Sequence, residues 1–184
     1  MEIAYGASIA GRRALVVLKS VGLNIALDPL ATMALSGCHA GLVIVLGDDP
    51  GGWGSQNEQD SRWLARVAEV PVVEPVSVEQ SATLMTQAFI WSESVGVPVI
   101  VRIVGSLALA QGAVEEPWRL PPFEQGFLRQ RDRWVVLPAL VVGRHRSLHR
   151  RLRQIRGLFE ASPYDVTEGQ GSIGVIAVGH THAK

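Results

Sequence analysis

Residues 41–46, GLVIVL, form an apolar run with no polar interruption and no alternation. A run of this kind is typical of a parallel strand that is covered on both faces. Three further apolar segments, which also predict strands, lie at 13–19, 70–75 and 98–104. Because stretches of helical character separate these segments, the sequence predicts an α/β fold with a doubly wound, parallel sheet.

The helices expected between these strands lie at 2–11, 24–36, 58–69 and 77–95. Gly, Pro and charged residues dominate 105–133, which predicts a linker across the surface. A further helix is expected at about 145–161, and SIGVIAVG at 172–179 predicts one more buried strand. That strand either joins the first sheet or begins a second domain.

The 184-residue chain carries 17 Lys+Arg and 17 Asp+Glu, but the two signs are unevenly distributed. Residues 1–128 hold 7 basic and 13 acidic side chains, whereas 129–156 hold 9 basic side chains and one acidic one. As a helix, RHRSLHRRLRQIR at 144–156 would place three apolar side chains on one face, Leu148, Leu152 and Ile155. Nucleic acid would suit the arginines, but aromatic side chains for base stacking are absent. We therefore favour a solvated helix packed against the acidic region.

Cys38 is the only cysteine, so the chain cannot form an internal disulfide, a thiolate zinc site or the four-thiolate nest of an iron–sulfur cluster. A buried structural thiol is the expected state of Cys38. His180 and His182 form only a weak two-nitrogen chelate, so no metal site is predicted. No catalytic residue is singled out, because no Ser-His-Asp or paired-carboxylate arrangement can be identified.

Neither the N-terminal residues nor any internal segment predicts a membrane protein. No apolar run reaches the roughly 18 residues of a membrane span. The N-terminal stretch MEIAYGASIAGRR has its charges after the apolar residues, unlike a secretory signal. The expected location is cytoplasmic.

Two polar loops are expected to follow predicted strands, which is where α/β proteins bind ligands. The first contains Lys19, Gly22 and Asn24. The second, 47–57, ends on three polar side chains, Ser55, Gln56 and Asn57. Glycine lets backbone N–H groups approach a ligand, and amides can hydrogen-bond to a heterocycle. The alternative is that both are ordinary turns, with Asn57 or Ser55 capping the following helix.

Three segments together carry a family resemblance: GASIAGRRALVVLKSVGLNIALDPL at 6–30, GLVIVLGDDPGGWGSQNEQDSRW at 41–63 and VPVVEP at 70–75. The chain resembles the alpha subunit of indolepyruvate ferredoxin oxidoreductase, a thiamine diphosphate enzyme. The likeness continues through 131–165 and 171–179, so it covers nearly the whole chain. It implies oxidative decarboxylation of an aryl 2-oxoacid such as indolepyruvate, with electrons passing to ferredoxin.

The resemblance also implies a domain organisation and a cofactor. Residues 1–105 correspond to the domain of the thiamine diphosphate-binding fold that holds the aminopyrimidine ring, without its N-terminal part. Residues 106–171 correspond to a linker with the basic helix, and 172–184 to the start of a transketolase C-terminal-like domain. The implied cofactor-binding residues are those of the two loops, with Lys19 supplying charge, Gly22 close backbone approach and the amides orientation. Mg²⁺ would come from another domain or chain, iron–sulfur clusters from other polypeptide, and a homodimer or hetero-complex is expected.

The sequence departs from the family pattern at several positions. The family's catalytic glutamate would precede the matched segment, and Glu2 corresponds to a neighbouring acidic position. Ser20 and Trp53 stand where family members often have histidine. Gly47-Asp48-Asp49 lacks the second glycine of a thiamine-type Gly-Asp-Gly metal motif, so no metal site is predicted there. We therefore expect that the chain alone does not turn over a 2-oxoacid. A noncatalytic binding or regulatory module, a nucleic-acid binder and a gene fragment remain as alternatives.

Overall fold

Four parallel strands form one sheet in the computed structural model, which describes residues 1–52, 54–114 and 119–182. The order across the sheet is β1-β2-β4-β3, where the strands are β1 Ala14–Lys19, β2 Leu42–Asp48, β3 Val72–Val73 and β4 Val99–Val104. Val43 of β2 pairs with Leu15 on one side and Val99 on the other. The predicted α/β fold with a parallel sheet is confirmed.

Helices cover both faces of the sheet. They are α1 Glu2–Ile9, α2 Ser20–Ile25, α3 Leu27–Ser36, α4 Arg62–Ala68, α5 Val78–Val95, α6 Gly105–Ala108, α7 Arg131–Trp134 and α8 Val141–Glu160. Ile44 and Leu46 are buried on one face with residues of α2, α3 and α4, whereas Val43 is buried on the other face with residues of α5. No helix among the described residues is long and apolar enough to cross a bilayer.

The basic helix α8 packs on the domain through the predicted apolar face. Leu148 and Ile155 are buried, and Leu152 packs beside them. Two of its six arginines turn inward: Arg144 is buried, and the Arg151 Nη2 donates to the carbonyls of Ala34 and Leu35, at 2.7 and 3.0 Å. Helix C-termini carry unpaired carbonyls and partial negative charge. Arg151 therefore stabilises the end of α3, whereas Arg144 donates to the carbonyls of Asp132 and Val135. Fewer of the arginines face solvent than the sequence suggests.

The predicted buried strand at 172–179 is wrong. Its apolar side chains, including Ile173, Val175 and Ile176, are almost fully exposed, and the segment has no strand structure. A strand is stabilised by hydrogen bonds to a neighbouring strand, and none of the strands in the described residues pairs with this segment. Apolar composition alone does not supply that partner.

The outer strand of the sheet leaves an apolar strip uncovered. Leu15 and Val17 of β1 lie on the face of the sheet that α5 covers over β2 and β4. Nevertheless Val17 is 71% exposed and Leu15 is 48% exposed. Alternating burial along β1 confirms that only its other face is packed.

Cys38 is the buried structural thiol that the sequence predicts. Burial raises its pKa to about 11, although Ser92, whose Oγ lies 3.4 Å from the sulfur, lowers it. We expect a thiol reagent at about pH 8 to leave the native chain unmodified and to react rapidly once urea unfolds it. The pKa of Cys38 in the folded chain lies above the ordinary value of 9.0. Its contribution to the free energy of unfolding is therefore fully present below pH 9 and is lost as pH rises through about 11. Rapid modification without denaturant, measured from the released chromophore, would contradict the assignment.

Candidate functional site

A buried ion-paired cluster lies at the carboxyl edge of the sheet. Asp48 ends β2 and accepts a hydrogen bond of 2.6 Å from the Arg102 Nε of β4. The Arg102 Nη1 also donates to Glu74, which follows β3, at 2.6 Å. Arg102 is 6% exposed and Asp48 is 2% exposed, so both charges are removed from water and depend on each other.

A chain of hydrogen bonds extends from this cluster into the loop after β2. The Ser61 Oγ donates to Asp48 at 2.6 Å, and Gln59 donates to that Oγ at 3.2 Å. Gln59 and Asn24 exchange two amide hydrogen bonds, at 2.9 and 2.8 Å. The network therefore ties the loop to β4 on one side and to α2 on the other.

The first part of the same loop is held separately by Asp49. This carboxylate forms an ion pair with Lys19, whose Nζ lies 3.6 Å from Oδ2, and accepts a hydrogen bond of 2.7 Å from the Gly54 backbone N–H. The Gly51 N–H donates to Glu58 at 2.8 Å. Contacts at both ends fix the backbone of 49–61, as far as the described residues show it.

Arg62 follows the loop and holds a further carboxylate near the cluster. Its guanidinium donates to Asp60 at 2.7 and 2.8 Å and lies 3.4 Å from Glu74. These hydrogen bonds hold the pKa of Asp60 below its usual value, although partial burial acts in the opposite direction. Arg62 therefore keeps Asp60 ionised and engaged at ordinary pH.

Three of the six predicted site residues lie together on this loop. Ser55 is half-buried, and its Oγ is buried without a hydrogen-bond partner among the described residues. Gln56 and Asn57 are exposed, and the Asn57 Nδ2 lies 3.5 Å from Gln59. The alternative that Ser55 or Asn57 caps the next helix is wrong, because α4 begins at Arg62 with Ser61 as its N-cap.

The other three predicted residues lie on β1 and α2. Lys19 and Asn24 contact the loop through Asp49 and Gln59. The predicted loop around Gly22 is wrong, since Ser20–Ile25 is helical. A Cβ at Gly22 would lie 3.3 Å from the Leu18 Cβ, so this glycine lets α2 pack closely against β1.

A cavity of about 220 Å³ opens beside the loop at the ends of β2 and β4. Asp49 and Ser106 are among its lining residues, and His180 and Thr181 line its other side. The His180 Nδ1 lies 3.1 Å from the Val76 carbonyl oxygen, which anchors the end of the chain over this edge. An enclosed cavity of about 150 Å³ can hold benzene, so this space is large enough for a single ring.

The sequence reasoning missed the residues that support the loop, which are Asp48, Gln59, Ser61, Glu74 and Arg102. One signal for them was present. A single arginine inside the apolar strand PVIVRIV has to find a carboxylate when the strand is buried. Asp48 at the end of the neighbouring strand was the nearest candidate.

Comparison with known proteins gives a consistent set of relatives. No family model matches the chain. It is 40% identical over 186 residues to the indolepyruvate oxidoreductase subunit IorA of Archaeoglobus fulgidus. It is 37% identical over 190 residues to the subunit IorA of Pyrococcus abyssi, and 35% identical over 183 residues to that of Methanothermobacter thermautotrophicus.

These matches cover almost all of the chain but only part of each relative. They include 97% to 99% of this chain and 29% to 30% of the three relatives. The chain thus spans about 30% of the length of the curated relatives it matches. Because this identity extends over almost the whole of this chain, the chain belongs to the family of the indolepyruvate oxidoreductase subunit IorA.

Proposed function

We propose that this chain is a component of a thiamine diphosphate-dependent oxidoreductase that oxidatively decarboxylates aryl 2-oxoacids such as indolepyruvate, with ferredoxin as the electron acceptor. The names of its relatives support the indolepyruvate oxidoreductase part of this proposal. The chain's own contribution is to hold the aminopyrimidine ring of the cofactor. None of the 184 residues is assigned as catalytic.

One observation carries the proposal: the loop 49–61 is held at both ends and carries a buried serine hydroxyl without a partner among the described residues, beside two exposed amide side chains. The Ser55 Oγ is buried and has no partner among the described residues. A buried hydroxyl without a partner is costly, so a ligand that hydrogen-bonds to it would gain affinity. Gln56 and Asn57 extend the same polar surface toward solvent.

The donor set fits an aminopyrimidine ring. Amide side chains carry both a donor and an acceptor, which matches a ring that has an amino group beside a ring nitrogen. Ser55 would hydrogen-bond to the ring, while Gln56 and Asn57 orient it. Lys19 would hold the loop in place through its ion pair with Asp49. When bound, the cofactor supplies a carbon nucleophile for decarboxylation.

The other parts of the catalytic assembly are proposed to lie on other domains or chains. Mg²⁺ and the diphosphate group would be held there. Iron–sulfur clusters would be there too, because a single buried cysteine cannot supply their thiolates. A homodimer or hetero-complex would cover the strip formed by Leu15 and Val17. The expected location of the assembly is the cytoplasm.

Titration calorimetry with thiamine diphosphate and Mg²⁺ tests the cofactor assignment. We expect Gln56→Ala combined with Asn57→Ala to weaken binding about 10-fold, as expected for the loss of two neutral hydrogen bonds. Asn24→Ala should weaken it as well, because the Gln59 amide then loses its partner and the loop loosens. Gln154→Ala removes an exposed amide from α8 and serves as the matched control.

The outcomes separate the alternatives. Equal affinity in the wild type and the Gln56/Asn57 variant would overturn the loop assignment, and the absence of any binding would overturn the cofactor assignment for this chain. Binding without turnover of indolepyruvate and ferredoxin is the expected result for the isolated chain. Turnover by the isolated chain would show that it holds catalytic groups that we have not assigned.

A further inference from the structure

Two histidines one turn apart on α8 face a glutamate at the end of α4. The His149 Nε2 lies 3.0 Å from the Glu69 Oε1, and the His145 Nδ1 lies 3.6 Å from the Oε2 of the same carboxylate. The two imidazole rings are 5.7 Å apart between centroids. One ligand atom from each residue can be chosen so that all three lie within 4.8 Å of one another.

The backbone holds Glu69 in this position at a cost. Glu69 follows the last residue of α4 with φ 56° and ψ 45°, and it is the one non-glycine residue with positive φ in the described parts of the chain. Glycine is the usual residue in that left-handed conformation. A carboxylate is also unfavourable at a helix C-terminus, where the dipole is negative. A positive partner would offset both costs.

We propose that Glu69, His145 and His149 bind a divalent transition-metal ion, with zinc as the best match. Imidazole nitrogen and carboxylate oxygen are both zinc ligands. Around a tetrahedral ion bound at about 2.0 to 2.2 Å, ligand atoms lie about 3.3 to 3.6 Å apart. The two glutamate–histidine distances, 3.0 and 3.6 Å, involve different oxygens of Glu69, and the three ligand atoms lie within 4.8 Å of one another. The three side chains would therefore move closer together around a bound ion.

Three protein ligands leave the fourth tetrahedral position open. The side chains of Glu69, His145 and His149 are 33%, 49% and 52% exposed, so water or an external ligand can reach the ion. The neighbouring Arg146 and Arg150 are exposed and positively charged, which lowers affinity for a cation, although solvent and salt screen much of this repulsion. The bound ion would join α4 to α8 and hold the basic helix on the domain.

The sequence did not reveal this site, because its glutamate lies 80 positions from His149. His180 and His182 form a second histidine pair, which is closer together in sequence than His145 and His149. The His180 Nδ1 lies beside the Val76 carbonyl oxygen. Among the described residues, no Asp, Glu, Cys or further His lies close enough to this pair to complete a three-ligand metal site. The pair therefore provides a matched control.

Calorimetry of the untagged 184-residue chain with zinc chloride at about pH 7.5 tests the proposal. We expect one strong zinc site per chain. His145→Ala or His149→Ala should each lower the zinc affinity more than roughly 10-fold, which is the smallest effect expected when a group that only supports a metal ligand is lost. His180→Ala combined with His182→Ala should bind as the wild type does. Glu69→Gln retains the size of the side chain and should weaken binding without unfolding α4.

Thermal denaturation gives a second measurement. At about 100 times the dissociation constant, zinc should raise the melting temperature of the wild type by about 5 to 10 °C and that of the His149→Ala variant much less. Circular dichroism without metal checks that each variant is folded. Absence of zinc binding at millimolar concentration, or its loss only in the His180/His182 variant, would overturn the proposal.

Discussion

Replacing Arg102 with methionine is expected to lower the free energy of unfolding by about 3 to 5 kcal/mol. Methionine fills similar space but removes the hydrogen bonds of 2.6 Å to Asp48 and Glu74. Asp48 would remain buried without its cation, and an uncompensated buried charge is one of the most destabilising changes known for point mutants. Urea denaturation followed by circular dichroism measures the loss.

Two comparisons separate this effect from the simple loss of an arginine. Arg62→Met removes a side chain that is 47% exposed and should cost less than about 1 kcal/mol. Arg102→Met combined with Asp48→Asn should recover part of the stability, because the variant no longer buries an unpaired carboxylate at that position. A loss below about 1 kcal/mol in Arg102→Met would show that the cluster contributes little to stability.

The same variant links stability to the proposed site. Asp48 accepts hydrogen bonds from both the hydroxyl and the backbone N–H of Ser61, at 2.6 and 3.1 Å. Through Gln59 this contact reaches Asn24. Loss of Arg102 should therefore loosen the loop that carries Gln56 and Asn57, so that cofactor affinity falls at denaturant concentrations where the sheet is still folded.

Local pattern accounts for the parts of the fold that were predicted. The apolar runs at 41–46 and 98–104 are buried on both faces, and periodicity marks the packed face of α8. Both signals are contained within a few residues of sequence. For the same reason the prediction failed at 172–179, where composition favoured a strand but pairing requires a partner elsewhere.

The candidate site depends on contacts that local pattern does not encode. Arg102 and Asp48 are 54 positions apart, and Asn24 and Gln59 are 35 apart. The resemblance indicated the loop residues, but only the three-dimensional arrangement shows that Lys19 and Asn24 act by holding the loop. The packing role of Gly22 was not predicted either. Its helix, α2, has six residues, which is too short for hydrophobic periodicity to reveal it.

Replacing Gly37 with alanine is expected to destabilise the chain by about 3 to 5 kcal/mol, from backbone strain together with lost hydrogen bonds. Gly37 ends α3 with φ 81° and ψ 171°, a region that is essentially restricted to glycine. A Cβ there would overlap the Arg151 Nη1 and lie 2.7 Å from the Gly96 carbonyl oxygen. The backbone carbonyl cannot move aside cheaply, so the arginine would be displaced.

Displacing Arg151 is costly because its partners are partly buried carbonyls at the ends of two helices. It donates to Ala34 and Leu35 at the end of α3 and to Gly96 after α5, the last at 3.2 Å. Burial lowers the pKa of Arg151, so these carbonyls are needed to hold a charged guanidinium in place. The Gly37→Ala change therefore weakens the docking of α8 as well as the end of α3.

Gly169→Ala is the matched control for this prediction. Gly169 has a similar φ of 84°, but no atom of the described residues lies within 4 Å of the position that its Cβ would take. It should cost only the strain of a left-handed alanine, about 1 kcal/mol. If urea denaturation shows equal losses for the two variants, backbone conformation alone explains Gly37. A larger loss for Gly37→Ala is the expected result, because the contact of its Cβ with the Arg151 guanidinium and the strain at a ψ of 171° both add to the cost.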